Sequence, residues 1–157
     1  PVFMELKKKY RSIVYKRRLT LPYDRALDCL TGACPWPETQ IGGEIRYTVD
    51  FYPDLESRVF LAYERDSWLA PESGLRITFD DAIRFRTEEL TLDSDPWGTA
   101  LLGPDQVLME LKAPGAIPLW MVRLLTEMRL YKTSFSKYGT AYQLLLEREW
   151  KGGKRYA

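Results

Sequence analysis

The chain has 157 residues, with 23 Lys and Arg against 22 Asp and Glu, a net charge of +1 and no histidine. Its length suffices for one domain with a real core, and 45% hydrophobic with 29% charged residues excludes a disordered chain. Any anion site must therefore come from local clustering, and neither a His-based triad nor a His metal ligand is available. Cys29 and Cys34 are too few for a structural zinc site and read as reduced thiols of a cytoplasmic protein. There is no run of 18 apolar residues, so no membrane span is expected, and no signal peptide is recognisable. The chain enters a strand pattern directly after Pro1, which suggests a processed or partial sequence.

In chain order, Val2 to Arg18 reads as two β segments. Alternation puts Phe3, Glu5, Lys7 and Lys9 on one face of the first, and Ser12, Val14, Lys16 and Arg18 on one face of the second. Val2, Met4 and Leu6 form the apolar opposite face. Leu21 to Asp24 is a helix entry, with Pro22 in its first turn and Ala26, Leu27 and Leu30 as apolar spacing. Glu38 to Phe51, with Ile41, Ile45 and Val49, predicts an amphipathic helix packed on a sheet and ended by Pro53.

Further strands are expected at Arg58 to Arg65, Leu75 to Asp80, Ile83 to Arg86 and Gln106 to Lys112. A polar loop covers Thr91 to Pro104. Ile117 to Leu130 predicts a helix with Trp120, Leu124 and Met128 on one stripe, and the tail after KTSFSKY turns helical through Tyr142, Leu145 and Leu146.

These strands repeat one feature: basic residues on an alternating face. The set is Lys7, Lys9, Lys16, Arg18, Arg65, Arg76, Arg84, Arg86 and Lys112, broken in sign by Glu5, Asp80 and Glu110. If the faces converge, they make a barrel with a basic interior, which is stable only when an anion fills it. A row of phosphates suits forked Arg donors and point-charge Lys donors, with the inward carboxylates holding a divalent cation between phosphates. The alternative is the solvated face of an open sheet.

The runs VFMELKKKY with VYKRR, AYERDSW with LRITFD, VLMELK and KTSFSKY occur in an order, and over most of the chain, that resembles the VTC domain. That is the polyphosphate polymerase domain within the triphosphate tunnel metalloenzyme, or CYTH-like, superfamily. The resemblance implies an α+β fold with an antiparallel β-barrel and packed helices, formed by residues 1–157 as a single domain. It implies ATP and polyphosphate as ligands, and Mn²⁺ or Mg²⁺ as cofactor. By resemblance, Lys7, Lys16, Arg18, Arg65 and Arg76 are the catalytic tunnel cations. Tyr63, Lys112, Lys132, Ser136 and Lys137 contact substrate, and Glu110 binds the metal. The family's strands before the ELK strand, including an R-x-R strand, have no counterpart here. An incomplete barrel is therefore expected, completed by a missing N-terminal segment or a neighbouring chain, with polymerase activity residing in a longer protein.

Three rival functions stand beside the polymerase. A tunnel triphosphatase would need more tunnel glutamates and a group to orient water. A non-catalytic polyphosphate or inositol-phosphate sensor would need only the basic face. A single-strand nucleic-acid groove would want aromatics between the basic residues, and only Tyr63 qualifies, so no nucleic-acid partner is expected.

Overall fold

The structure is a computed structural model that describes residues 1–11 and 13–151. Ser12, and the side chain of Lys9, which the alternating faces included, lie outside the described residues. The fold is α+β with antiparallel sheets, and the chain forms two compact units, Pro1–Glu56 and Ser57–Ala157. Neither sheet closes into a barrel, as expected of an incomplete one.

The first unit is built on a hairpin. Strand β1 (Val2–Tyr10) pairs antiparallel with β2 (Ile13–Leu21) across a two-residue connection, and Arg11 takes the left-handed φ of +46° that such connections demand. The register sets Glu5 opposite Arg18 and Lys7 opposite Lys16, so the charged face read from alternation is real. The other face supplies Val2, Met4 and Leu19 to a small core around Leu21, Ala26 and Cys29. Helix α1 (Tyr23–Thr31) starts after Pro22 and stops at Gly32, whose φ of +78° makes a left-handed cap. Helix α2 (Gln40–Phe51) is capped by Thr39, whose hydroxyl accepts from the Gly42 amide at 3.0 Å. A Cβ at Gly42 would lie 2.2 Å from the Pro37 carbonyl oxygen, so this turn admits only glycine. Ile45 is the buried residue of the predicted stripe.

The second unit holds β3 (Phe60–Ala70), β4 (Leu75–Arg86), β5 (Thr99–Ala100) and β6 (Leu108–Lys112). The long β4 is central, with β3 along one side and β5 and β6 sharing the other. Helices α3 (Leu119–Glu127) and α4 (Lys137–Lys151) follow. In α3 the expected stripe of Trp120, Leu124 and Met128 is exposed, and Met121 is buried instead. The apolar residues cover more than one side of this short helix, so spacing alone did not choose the packing side.

The two segments read as Leu75–Asp80 and Ile83–Arg86 are one strand with a bulge. Ala62 pairs with Arg84 and Glu64 with Asp81, leaving Ala82 and Ile83 opposite Tyr63 alone. Ala82 absorbs the extra residue at φ +44°. Side chains alternate, so one inserted residue reverses every face beyond it. Arg76, Thr78 and Asp80 share a face with Arg65 and Tyr63, whereas Arg84 and Arg86 pair with Ala62 and Phe60 on the other. Arg84 and Arg86 thus leave the expected basic set.

Arg86 is instead a buried fastener. Its guanidinium donates to the carbonyls of Glu88, Glu89, Asp95 and Trp97 and to the Ser94 hydroxyl, and lies 3.6 Å over the Phe60 ring. Arg86→Lys should lose on the order of 2–3 kcal/mol of stability, because a buried ammonium cannot serve a fork of acceptors and leaves several of these carbonyls without their donor. Urea unfolding checks this, and an unchanged midpoint would contradict it.

Candidate phosphate-binding site

Each unit presents one cluster of cations around carboxylates. In the first unit Glu5 is the hub. Its Oε1 accepts from Lys16 Nζ at 3.0 Å and from Arg18 Nε at 2.6 Å, and its Oε2 pairs with Lys7 Nζ at 3.2 Å. Lys7 and Lys16 stand directly opposite each other, a repulsive arrangement that the shared carboxylate offsets. The Arg18 guanidinium also lies 4.3 Å over the Phe3 ring. Three cations against one anion leave this face positive.

Burial by itself would raise the Glu5 pKa, but hydrogen bonds from Lys16, Arg18 and Lys7 outweigh it and lower the value from 4.5 to about 2. A carboxylate depressed in the folded state stabilises it fully above the unfolded value. The contribution fades as pH falls from about 4.5 towards about 2. The Glu5 carboxyl should therefore titrate near pH 2 by NMR, and Glu5→Gln should flatten the loss of stability across that window. A titration at the ordinary value would refute the hub.

In the second unit the hub is Asp80, fully buried in the middle of β4. Arg65, across the ladder on β3, grips it with both arms: Nε donates to Oδ1 at 2.5 Å and Nη2 to Oδ2 at 2.6 Å. Lys137 Nζ, from the first residue of α4, reaches Asp80 Oδ2 at 2.5 Å and donates to Glu110 Oε1 at 3.2 Å. Lys112 Nζ pairs with Glu110 Oε2 at 3.3 Å. The Tyr63 ring lies 5.0 Å from the Arg65 guanidinium carbon and 4.8 Å from Lys137 Nζ, a platform beneath both cations.

Burial pushes the Asp80 and Glu110 carboxyls up, but the hydrogen bonds of Arg65 and Lys137 to Asp80, and of Lys137 to Glu110, hold both below their ordinary values. Asp80 raises the Arg65 pKa in return.

The remaining expected residues fall around this cluster. Arg76 pairs with Lys112 across the ladder on the same face. Lys112, Glu110 and Lys132 line a groove of about 510 Å³ between β6, α3 and the segment after it, together with Thr133 and Phe135. Ser136 caps α4, its hydroxyl accepting from the Gly139 amide at 3.1 Å, and so aims Lys137 from the first turn. Tyr63, Arg65, Glu110, Lys112 and Lys137 are thus brought together, and Lys7, Lys16 and Arg18 meet on the hairpin. Asp80 was read in the sequence as a break in sign and one of the inward carboxylates, not as the hub of an ion cluster. Its cue was its place in R-x-T-x-D, two residues past Thr78, on a face that burial closes.

The class of protein is then one with antiparallel sheets whose basic faces carry a few carboxylates among their cations. The family model described as VTC domain matches residues 1–146, and the chain belongs to that family. No curated protein and no solved structure matches it.

Arg65→Ala should cost on the order of 3 kcal/mol of stability, since it strips a fully buried carboxylate of its forked partner. The simple expectation for a surface ligand, an unchanged midpoint in chemical unfolding, would show that Arg65 is dispensable to the fold.

Proposed function

We propose, from its membership of the VTC family, that the chain has a polyphosphate-related function: it binds ATP and polyphosphate on these basic faces and serves transfer of the γ-phosphate to a growing polyphosphate chain. The observation that carries the reading is the group of Arg65, Lys112 and Lys137 on one sheet face, fixed by Asp80 and Glu110. Arg supplies parallel donors to phosphate oxygens and Lys supplies point charges. The hairpin cluster of Lys7, Lys16 and Arg18 is a second basic face, in the first unit, with the same kinds of donor. Both kinds of donor lower the cost of the charge spread over the equatorial oxygens during in-line transfer. The attacking terminal phosphate is already ionised, so no protein base is needed, and a chain without histidine is suited to this chemistry.

A bound Mn²⁺ or Mg²⁺ would supply further neutralisation of the phosphates. Glu110 is the residue proposed to hold it, being partly exposed beside the groove. Such ions take one or two carboxylates and complete their shell with phosphate oxygens and water. Among the described residues no group of three or more His, Cys, Asp or Glu could hold a metal, so this donor set fits a substrate-assisted site rather than an all-protein cage. The same shortage of acids speaks against a tunnel hydrolase. Among the described residues no helix is long and apolar enough to cross a membrane, and a cytoplasmic setting is part of the proposal.

The protein incubated with ATP and Mn²⁺ should make long phosphate chains, resolved on gels. Free phosphate would favour the hydrolase, and tight polyphosphate binding without turnover would favour the sensor. Glu110→Gln should abolish the metal-dependent turnover and spare much of the polyphosphate binding, because a neutral amide is a poor ligand for a hard cation. Normal Mn²⁺-dependent turnover in that variant would remove Glu110 from the metal site.

A further inference from the structure

We propose that Cys29 and Cys34 form a reversible dithiol–disulfide site that exchanges with a low-molecular-weight disulfide, Cys34 reacting first and Cys29 closing the internal bond. Both thiols are free, and their sulfurs stand 3.1 Å apart in the first unit. The inference is independent of the phosphate-binding reading.

The backbone brings the pair together. Cys29 lies in the last turn of α1, and Gly32, at φ +78°, reverses the chain just beyond it. The Cys34 amide then donates to the Asp28 carbonyl at 3.2 Å, which folds Cys34 back over the helix end. The other acceptors of the two thiols, the Pro35 and Arg25 carbonyls, are farther away, at 3.6 and 3.9 Å. Access to the two sulfurs differs. Cys29 is 2% exposed in the small core with Leu21 and Ala26, whereas Cys34 is half-buried at the margin of that core. A reagent in solution therefore meets Cys34 and is kept from Cys29.

The exchange balances in two steps. The Cys34 sulfur attacks one sulfur of the reagent, whose S–S bond breaks, and the other half leaves as a thiol with the Cys34 proton. Cys29 then attacks Cys34 Sγ, the mixed disulfide breaks, and the second half leaves with the Cys29 proton. The pair loses two electrons and two protons, and one small disulfide becomes two thiols. The asymmetry in burial suits this order, because the buried sulfur has only its neighbour to attack. A stabilising staple is the weaker use of such a pair, since cysteines five residues apart close a short ring and remove little freedom from the unfolded chain. A metal site is weaker still, because among the described residues no group of three or more His, Cys, Asp or Glu could hold an ion. The Cys29 sulfur, together with burial, pushes the Cys34 thiol up. A thiolate is thus disfavoured at Cys34, which gives the reduced form none of the stabilisation that makes a pair strongly oxidising.

The test uses the whole folded chain, reduced and then exposed to oxidised glutathione, with acid quenching and mass spectrometry. The end product should be lighter by two hydrogens, carry no glutathione, stay unlinked to other chains on a non-reducing gel, and regain both thiols with dithiothreitol. At early times glutathione should be found on Cys34 and should decline as the internal disulfide rises. Cys29→Ala should keep one glutathione on Cys34, because nothing remains to displace it. Cys34→Ser should react about tenfold more slowly or worse, since only the buried thiol is left. Circular dichroism shows whether each variant folds, and the time course of the unaltered protein decides the matter if one does not. A stable glutathione adduct on the unaltered protein, disulfide-linked dimers, or oxidation only in urea overturns the site. Early glutathione on Cys29 overturns the order of attack.

Discussion

A carboxylate cut off from water stays charged only while cations stand against it, and Asp80 imposes that condition on the whole second unit. The counter-charges come from two different elements, Arg65 on β3 and Lys137 at the start of α4. The strand ladder places Arg65, whereas Lys137 comes from the first residue of α4, just after the Ser136 cap. The ion cluster therefore fixes a helix against a sheet, and it does so through the same cations that are proposed to meet an anion.

The hairpin repeats the logic at a more exposed site. Glu5 gathers Lys7, Lys16 and Arg18, which would otherwise repel one another across the ladder. In both units fewer acids collect more bases, Glu5 on the hairpin and Asp80 with Glu110 on the larger sheet, and leave a positive remainder. Such an acid prevents its basic neighbours from swinging apart into solvent, so that the cations keep a fixed spacing. A face made of lysine and arginine alone would have more charge and less order.

Much of this was legible in the sequence wherever one physical rule acted alone. Period-two alternation placed Glu5, Lys7, Lys16 and Arg18 on one face, and the register bears that out. It placed Arg76, Thr78 and Asp80 together as well. What stayed hidden depended on distant partners or on unmarked backbone. Alternation says that Asp80 faces the basic side, but not that the start of α4 closes over it. Tyr63 was read as a phosphate contact, and the structure shows it as a platform under Arg65 and Lys137. Arg84 and Arg86 were counted with the tunnel cations because nothing at Asp81-Ala82 announces a bulge. No glycine or proline stands there, and Ala82 takes its positive φ on the strength of the surrounding pairing. The helix at Leu119–Glu127 shows a third kind of limit, since apolar residues on several sides left the packing direction to be settled by neighbours.

The bulge at Ala82 also makes backbone conformation, rather than the residues on either side, the determinant of where charge goes. It admits one residue more on β4 than β3 offers, so a ladder without Ala82 would keep Arg84 opposite Ala62 and Arg86 opposite Phe60. Straightening the strand with every residue kept would instead carry Arg84 and Arg86 to the side that holds Asp80, and send Ile83 and Phe85, now buried, to the opposite side. Tolerance of this segment to change is accordingly lopsided. Loss of the one extra residue preserves its charged and apolar sides, whereas a substitution that drives Ala82 out of its positive φ exchanges them.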